Sequence, residues 1–414
     1  MEKYDLIYVG CGPSTIWSLL HLAKNNYKGK VLVIEQGKDI ENRPKTDIQR
    51  GYAGAGCFSD FKISFDPTVG GSLAKKIPEA DFEYYGNLVL NYLNDFLDEK
   101  REWVKGKEYP CKNSDITFVT SKVCHLGTDN GFNWGVKTEK YLKEKFEIHF
   151  EEQVTDINPI EKINLEDNCY YEVITDKATY KTTKLVLATG PNDKLTKPLS
   201  EKMNLLSLPD HLQMGIRVES SNEDGRWTDI LAHNYDFKFR KTYEYGNVRT
   251  FCCNSYAAFI AQETNNGAFI SYNGHAYKDK EKFNNKVNFG IMCESELGLD
   301  KDEQIAICKN INSELPDSPY KILNIVKLRT TKMPKIVVDY IIDFVKDLNK
   351  IVKIDDAVFY VPEIKLVNRR IRADKFGKIA NNLYLIGDVI TSRGILQSAA
   401  TGLILADNIL GNRS

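Results

Sequence analysis

The opening of the chain constrains its fold more than any other feature. A short apolar run, Leu6-Ile7-Tyr8-Val9, leads directly into Gly10-Cys11-Gly12-Pro13, and Ile16, Leu19, Leu20 and Ala23 follow at helical spacing. Lys28-Gly29-Lys30 then makes a turn, and Val31-Leu32-Val33-Ile34 is a second apolar run that ends at Glu35. Strands covered on both faces read as unbroken apolar runs, so the pattern predicts a β-α-β unit of a parallel sheet. Between a strand and a helix the glycine pair acquires a physical meaning. Gly10 permits the tight turn, and Gly12 lets the backbone approach a pyrophosphate, whose charge is met by free N–H groups at the helix start around Pro13, Ser14 and Thr15. Thr15 stands where a smaller residue is the rule. It either crowds the helix against the strand or offers its hydroxyl to a phosphate. Glu35, 25 residues after Gly10 and followed by Gln36, is placed to accept hydrogen bonds from a ribose.

At 414 residues the chain is long enough for two or three domains, or for one large domain carrying another. Its 42% hydrophobic and 27% charged residues are those of an ordinary globular protein. A net charge of −1 supplies no strong field toward nucleic acid or anionic lipid, and the basic residues within 137–145 alternate with Glu and apolar residues as on a solvated helix face. No stretch reaches the roughly 18 unbroken apolar residues of a membrane span. The N-terminus enters a strand without a signal-peptide cleavage pattern. Nine cysteines, an odd number with no CxxC pair, argue against a disulfide framework, a structural metal site and a thioredoxin-reductase-type redox pair. The expectation is a reduced, cytoplasmic protein that holds no metal, spans no membrane and binds no nucleic acid.

After the first unit, residues 36–81 are rich in Gly, Pro and Asp with little periodicity, and read either as a functional loop or as an element that periodicity does not reveal. Residues 82–98 predict an amphipathic helix, with Leu90, Leu93 and Leu97 on one side. Strand-like runs between 146 and 190 finish in Leu185-Val186-Leu187-Ala188-Thr189-Gly190. From about 206 to 370 strands mix with helices, the clearest helix being 336–348 with Pro334 near its start. Leu383-Tyr384-Leu385-Ile386 is a last buried strand, leading through Gly387-Asp388 into a helix that begins near Gly394. The predicted class is α/β. A Rossmann-type dinucleotide domain, residues 1–205 and 372–414, would be interrupted by an α+β substrate or cap domain, residues 206–371.

The end of the chain separates the dinucleotides. Leu385-Ile386-Gly387-Asp388, then Gly394-Ile395-Leu396-Gln397-Ser398-Ala399-Ala400-Thr401-Gly402, resembles the closing motif of flavoproteins of the two-dinucleotide-binding-domain type. That resemblance implies FAD, with Asp388 on a ribitol hydroxyl and the helix start at Gly394, Ile395 and Leu396 aimed at the flavin pyrimidine. There its dipole would stabilise the negative charge of the reduced flavin. Ala188-Thr189-Gly190 similarly resembles the ATG turn on the adenine side, and Val154 falls where a backbone contact to adenine is usual.

A narrower resemblance spans most of the chain. Gly51-Tyr52-Ala53-Gly54-Ala55-Gly56-Cys57-Phe58-Ser59-Asp60-Phe61-Lys62-Ile63 resembles the glycine-rich SDGKL-like segment of a broad, poorly characterised family of bacterial FAD-dependent dehydrogenases. Cys124-His125-Leu126-Gly127-Thr128-Asp129 is similar to its RHIGTD-like motif, and Gly215-Ile216-Arg217-Val218-Glu219 to its GVRVE strand. Arg249-Thr250-Phe251-Cys252-Cys253, with Ser271-Tyr272-Asn273-Gly274, is similar to its RTFCMCPGG…TNG pattern. The chain departs by continuing as Asn254-Ser255-Tyr256 without the two glycines, and by ending in 387–395 without the family's GEGAGYAGGI. The resemblance implies cofactor contacts from Gly54, Gly56, Ser59, Asp60 and Lys62, and a diverged substrate pocket.

A flavin carries the redox chemistry, and the protein places a substrate near its N5. His125, which lies in a family-like motif and titrates near neutrality, is the first acid–base candidate. Cys253, beside Cys252, is a candidate thiol, and His275 a further acid–base group. Arg393, in the replaced closing segment, is a candidate for specificity, and Arg369, Arg370 and Arg372 form a cluster that suits an acidic substrate. No second strand–GxGxxG–helix unit exists for NAD(P)H, so electrons would come from the substrate, from transiently bound NAD(P)H or from a protein redox partner. Three readings stay open: a dehydrogenase or reductase of a small or medium organic molecule by hydride transfer through flavin N5, a flavin monooxygenase, and a non-catalytic or redox-sensing flavoprotein within a complex.

Overall fold

The computed structural model describes residues 1–112, 114–160, 170–192, 194–202, 212–265, 268–314, 321–366, 371 and 373–412. The apolar run that opens the chain is the central strand of a parallel sheet, Glu2–Val9, between Val31–Ile34 and Thr179–Leu187. Glu147–His149 and Leu383–Leu385 extend the parallel set at either side. Leu6 and Tyr8 enter one core while Ile7 and Val9 enter another, which is why the buried half of this strand carries no charged residue.

Helices Pro13–Lys24, Glu79–Asn94 and Gly394–Leu410 cover the first face of that sheet. The second face carries an antiparallel meander of Val154–Pro159, Tyr171–Thr175 and Thr179–Leu187, whose Val154, Ile157, Tyr171 and Val173 complete the other core. Leu383–Leu385 pairs in parallel with Thr179–Leu187, so the end of the chain returns to the domain that began it. This is the expected Rossmann-type architecture.

The intervening segment builds a seven-stranded antiparallel sheet. Its order is Lys321–Ile322, Val358–Lys365, Leu212–Ser221, Lys286–Ser295, Gly246–Tyr256, Lys238–Tyr243 and Thr117–Val119. Alternation sorts its side chains. Met214, Ile216, Val218, Val248, Phe289, Ile291 and Cys293 pack with the amphipathic helix Lys335–Ile351 in a separate core. The other face carries Gln213, Arg249, Phe251, Glu294 and Lys365 toward a cleft between the domains. The edge strand Thr117–Val119 comes from the N-terminal segment, and Tyr109, Ile116 and Phe118 pack on this second core. Residues 1–205 therefore do not belong wholly to the first domain.

The stretch 36–81 is not a bare loop. It holds the short helix Gly54–Phe58, the strand Lys62–Phe65 and a helical turn at Leu73–Lys75. Elements this short give periodicity nothing to act on. Buried Arg43 organises the segment by donating to the carbonyls of Asp47, Ile48, Tyr52 and Gly54. The helix expected at 82–98 starts and ends earlier, at Glu79–Asn94, because Pro78 caps it and Glu79 and Asp81 favour its first turn. Arg369, Arg370 and Arg372 lie outside the described residues.

Candidate active site

Two helices begin at one cavity of about 240 Å³. Gly12, Pro13 and Ser14 at the start of Pro13–Lys24, and Gly394, Ile395 and Ser398 at the start of Gly394–Leu410, line it together. The first turn of each helix leaves N–H groups without intrahelical partners, so the cavity faces two positive dipole ends. Gly10 is held at φ +101°, where a Cβ would fall 2.4 Å from the Ala188 oxygen, so this turn admits only glycine. At Gly12 an added Cβ would meet nothing within 4 Å, and the same is true at Gly190. Both glycines border open space in the cavity wall.

Glu35 lies at the end of its strand on the cavity wall, buried, and accepts from the N–H groups of Cys11 (2.8 Å), Gly37 (2.7 Å) and Gly51 (3.0 Å). An ionised carboxylate takes about four donors, so room for one more remains. Gln36, Gly54, Gly56, Val154, Thr189, Gly190 and Asp388 share the wall. Among the described residues the buried Thr189 hydroxyl has no hydrogen-bond partner. An orphaned hydroxyl, two open glycines and two helix starts fit an anionic, hydroxyl-rich ligand such as FAD.

Three expected cofactor residues stand behind the wall instead. Thr15 is fully buried and its hydroxyl closes the turn on the Gly10 carbonyl at 2.8 Å, so it does not reach out to a phosphate. Gly387, at φ +80°, donates its N–H to Thr401 Oγ1, and Leu396 is buried in the first core.

The first cavity opens into a second of about 940 Å³ in the cleft, with Gln36, Gln49, Gly56, Thr189, Gly394 and Ile395 common to both. Ser59, Asp60 and Lys62 line this second space. Lys62 is 5% exposed and lies 3.4 Å from Asp60 and 3.2 Å from Asp236. It also donates to the Cys253 carbonyl, so it ties the first domain to the second sheet. Burial would lower the Lys62 pKa, but the charges of Asp236 and Asp60 raise it above the ordinary lysine value.

The expected acid–base and thiol groups are not all there. His125 lines neither cavity. Its ring packs on Tyr235 with centroids 4.9 Å apart, and Nδ1 lies 3.4 Å from Lys278 Nζ. Burial first, and then the charges of Lys278 and Lys62, push its pKa well below the ordinary value, so the imidazole is neutral at pH 7. His275 also lies off both cavities, with Nδ1 3.3 Å from the Thr128 hydroxyl, and burial pushes it down to about 4. Cys253 points into the second core, its thiol directed at the Phe237 carbonyl.

Its neighbour Cys252 takes the cavity position. A bulge between Phe251 and Asn254 holds Cys252 at φ +47°, with Sγ 3.5 Å from Asp60 Oδ2 and 3.7 Å from Arg217 Nη2. A register of two along a regular strand cannot reveal which of two adjacent cysteines a bulge turns outward. Arg393 caps the terminal helix, lines the second cavity and donates from Nε to Asp388 Oδ1 at 2.6 Å. Arg249 and Lys365 join it there. A register shift at Val361-Pro362 reverses the faces of Val358–Lys365, so simple alternation from Phe359 and Val361 would have put Lys365 in the core.

No family model matches the chain, and no curated protein matches it. Among solved structures, glycine oxidase from Bacillus cereus is 12% identical with a TM-score of 0.47, over 99% of this chain and 96% of that one. The Tyr258Phe mutant of NikD, an unusual amino acid oxidase essential for nikkomycin biosynthesis, is 11% identical with a TM-score of 0.46, over 100% and 95%. CtdE in complex with FAD is 10% identical with a TM-score of 0.41, over 97% and 82%. Among the described residues, no helix is long and apolar enough to cross a membrane, and no cluster of His, Cys, Asp or Glu could hold a metal ion.

Proposed function

We propose that the chain is an FAD-dependent oxidoreductase that acts on a small or medium organic substrate, with FAD along the first cavity and substrate in the second. The observation that carries this reading is the pair of helix starts at Pro13 and Gly394, facing one glycine-walled cavity that opens into a polar cleft. The N–H groups of Gly12 and Ser14 would receive the pyrophosphate, Glu35 a ribose hydroxyl, and Asp388 a ribitol hydroxyl. Bound FAD supplies a two-electron acceptor at flavin N5. The start of the terminal helix would stabilise negative charge on the ring, and residues from the second sheet would hold the substrate.

With His125 and His275 neutral and off the cavity, neither is suited to move a proton there. Asp60 and Cys252 are among the titratable groups that do face it. The resemblance to bacterial FAD-dependent dehydrogenases supports FAD as the cofactor.

The test is an absorbance spectrum of the purified protein followed by anaerobic titration with NADH and NADPH. Flavin bands in the blue and near-UV support the cofactor. Bleaching by either nucleotide makes the chain a reductase or, with coupled oxygen uptake, a monooxygenase. Persistent bands point to reduction by substrate or by a protein donor. A protein that takes up no FAD overturns the proposal.

A further inference from the structure

Cationic side chains converge on the second cavity near its junction with the first. Arg249 projects from Gly246–Tyr256, Lys365 ends Val358–Lys365, and Arg393 caps the terminal helix. Lys365 Nζ lies 4.6 Å from the centroid of the Phe251 ring, and Arg249 Cζ lies 5.9 Å from the same centroid. The ring is held in place by Gly290 on the neighbouring strand, where a Cβ would fall 2.1 Å from Phe251 Cε1.

These cations are poorly neutralised. Among the described residues neither Arg249 nor Lys365 forms an ion pair, and the hydrogen bond from Arg249 Nη2 goes to the neutral amide oxygen of Gln213 at 3.3 Å. Arg393 spends Nε on Asp388 and Nη2 on the Leu366 carbonyl, while its buried Nη1 has no partner among the described residues. The charge of Glu294 acts on Arg249 and that of Glu363 on Lys365, but neither acid forms an ion pair with these cations among the described residues. The Glu363 carboxylate lies 3.5 Å from buried Arg217, and Glu294 accepts from Asn247 at 3.5 Å. Around the whole cavity nine Lys and Arg face six Asp and Glu, so an anion entering the cleft meets a net positive wall.

Placing like charges together in a half-buried site is costly unless an anion completes it. We infer that the substrate carries an oxyanion, a carboxylate or a phosphate, seated on Lys365, Arg249 and the free Nη1 of Arg393. This rests on the reading of the second cavity as the substrate site. Burial, followed by the charges of Arg249 and Arg393, pushes the Lys365 ammonium down to about 7, as expected of a cation without its counterion.

The test uses the full-length protein loaded with FAD. Sodium acetate, inorganic phosphate and neutral acetamide are titrated separately, followed by flavin absorbance and by calorimetry. Acetate or phosphate should bind saturably and acetamide should not, and the tighter ion identifies the group as carboxylate or phosphate. K365Q and R249Q should each weaken that binding about tenfold or more while retaining FAD, and K365R should keep it. Three results would overturn the site: no saturable binding of either ion, binding unchanged in both variants, or variants that shed FAD with ion binding intact. If the wild-type protein takes up no FAD, the proposed function falls, and calorimetry on the same protein still decides the anion site.

Discussion

Gly402 lies against the backbone of Ser14: a Cβ built on it would fall 1.9 Å from the Ser14 oxygen. The terminal helix and the first helix therefore touch backbone to backbone, and this contact brings both helix starts to one cavity. A methyl group at Gly402 must separate them. G402A should cost about 3 kcal/mol, at the upper end of overpacking effects, with a lower thermal midpoint and reduced FAD content. G12A provides the contrast, because its Cβ enters open space at φ −83°. Its apoprotein should unfold at the wild-type temperature yet take up FAD far more weakly. Midpoints and flavin-to-protein ratios of the two variants check both statements, and equal FAD loss without a stability difference would contradict the packing argument.

Lys62 and Asp236 form the ionic joint between the domains. Replacing Lys62 by Met leaves Asp60 without its cation and Asp236 with only Lys238, in a site 2–9% exposed. The expected loss is roughly 3 kcal/mol at neutral pH, read by chemical denaturation. The acid limb follows from the same pair. Burial would raise the Asp236 carboxyl, but Lys238 and Lys62 hold it below its ordinary value. A depressed folded-state pKa contributes stability above the unfolded value of about 3.9, and that stability is lost as pH falls through the lower folded value. D236N should therefore be less stable than wild type near neutrality, with the difference shrinking below about pH 4.

Cys252 and Cys253 should differ in chemistry despite being adjacent. Cys252 is half-buried on the cavity wall, while Cys253 is fully buried with its thiol on the Phe237 carbonyl. Burial raises the thiol pKa of both. A small alkylating reagent at moderately alkaline pH should label Cys252 and Cys111, the other half-buried thiol among the described residues, and spare Cys253 until the protein unfolds. Peptide mass spectrometry reads the pattern directly. Labelling of Cys253 in the native protein would mean that the bulge faces the other way.

The sequence is most legible where one residue type has one physical use. Gly10 can be read because its turn excludes every side chain, and the runs Leu6–Val9 and Val31–Ile34 because burial on both faces removes every charged position. The return of Leu383–Leu385 to the first sheet followed from the motif after it. His125 illustrates the opposite case. A histidine on a family-like segment looks the same in sequence whether it faces a cavity or, as here, packs on Tyr235 beside Lys278. Lys365 and Arg249 lie more than 100 residues apart and become one site only through strand order, with Leu212–Ser221 and Lys286–Ser295 between them. No local pattern encodes that juxtaposition.

The anion site carries a signature in stability as well as in binding. In the folded chain the Lys365 pKa is pushed down to about 7 by burial and by Arg249 and Arg393, with Cys252 and Glu363 acting in the opposite direction. An unfolded lysine titrates near 10.4, so between about pH 7 and pH 10 the unfolded chain holds the extra proton and this group makes stability rise with pH. Below about pH 7 the ammonium is charged in both states and its full cost to the fold is felt. K365M should therefore be more stable than wild type at about pH 6, by on the order of 1 kcal/mol, and the gain should fade toward about pH 10. The bound ion should act in the opposite sense. Acetate or phosphate should raise the wild-type thermal midpoint at about pH 6, lose that effect as Lys365 deprotonates, and leave K365M nearly unmoved. Thermal unfolding of both proteins across that range, with and without the ion, separates an anion site from a lysine that merely packs on Phe251. A packing lysine would make K365M less stable at every pH and indifferent to the ion.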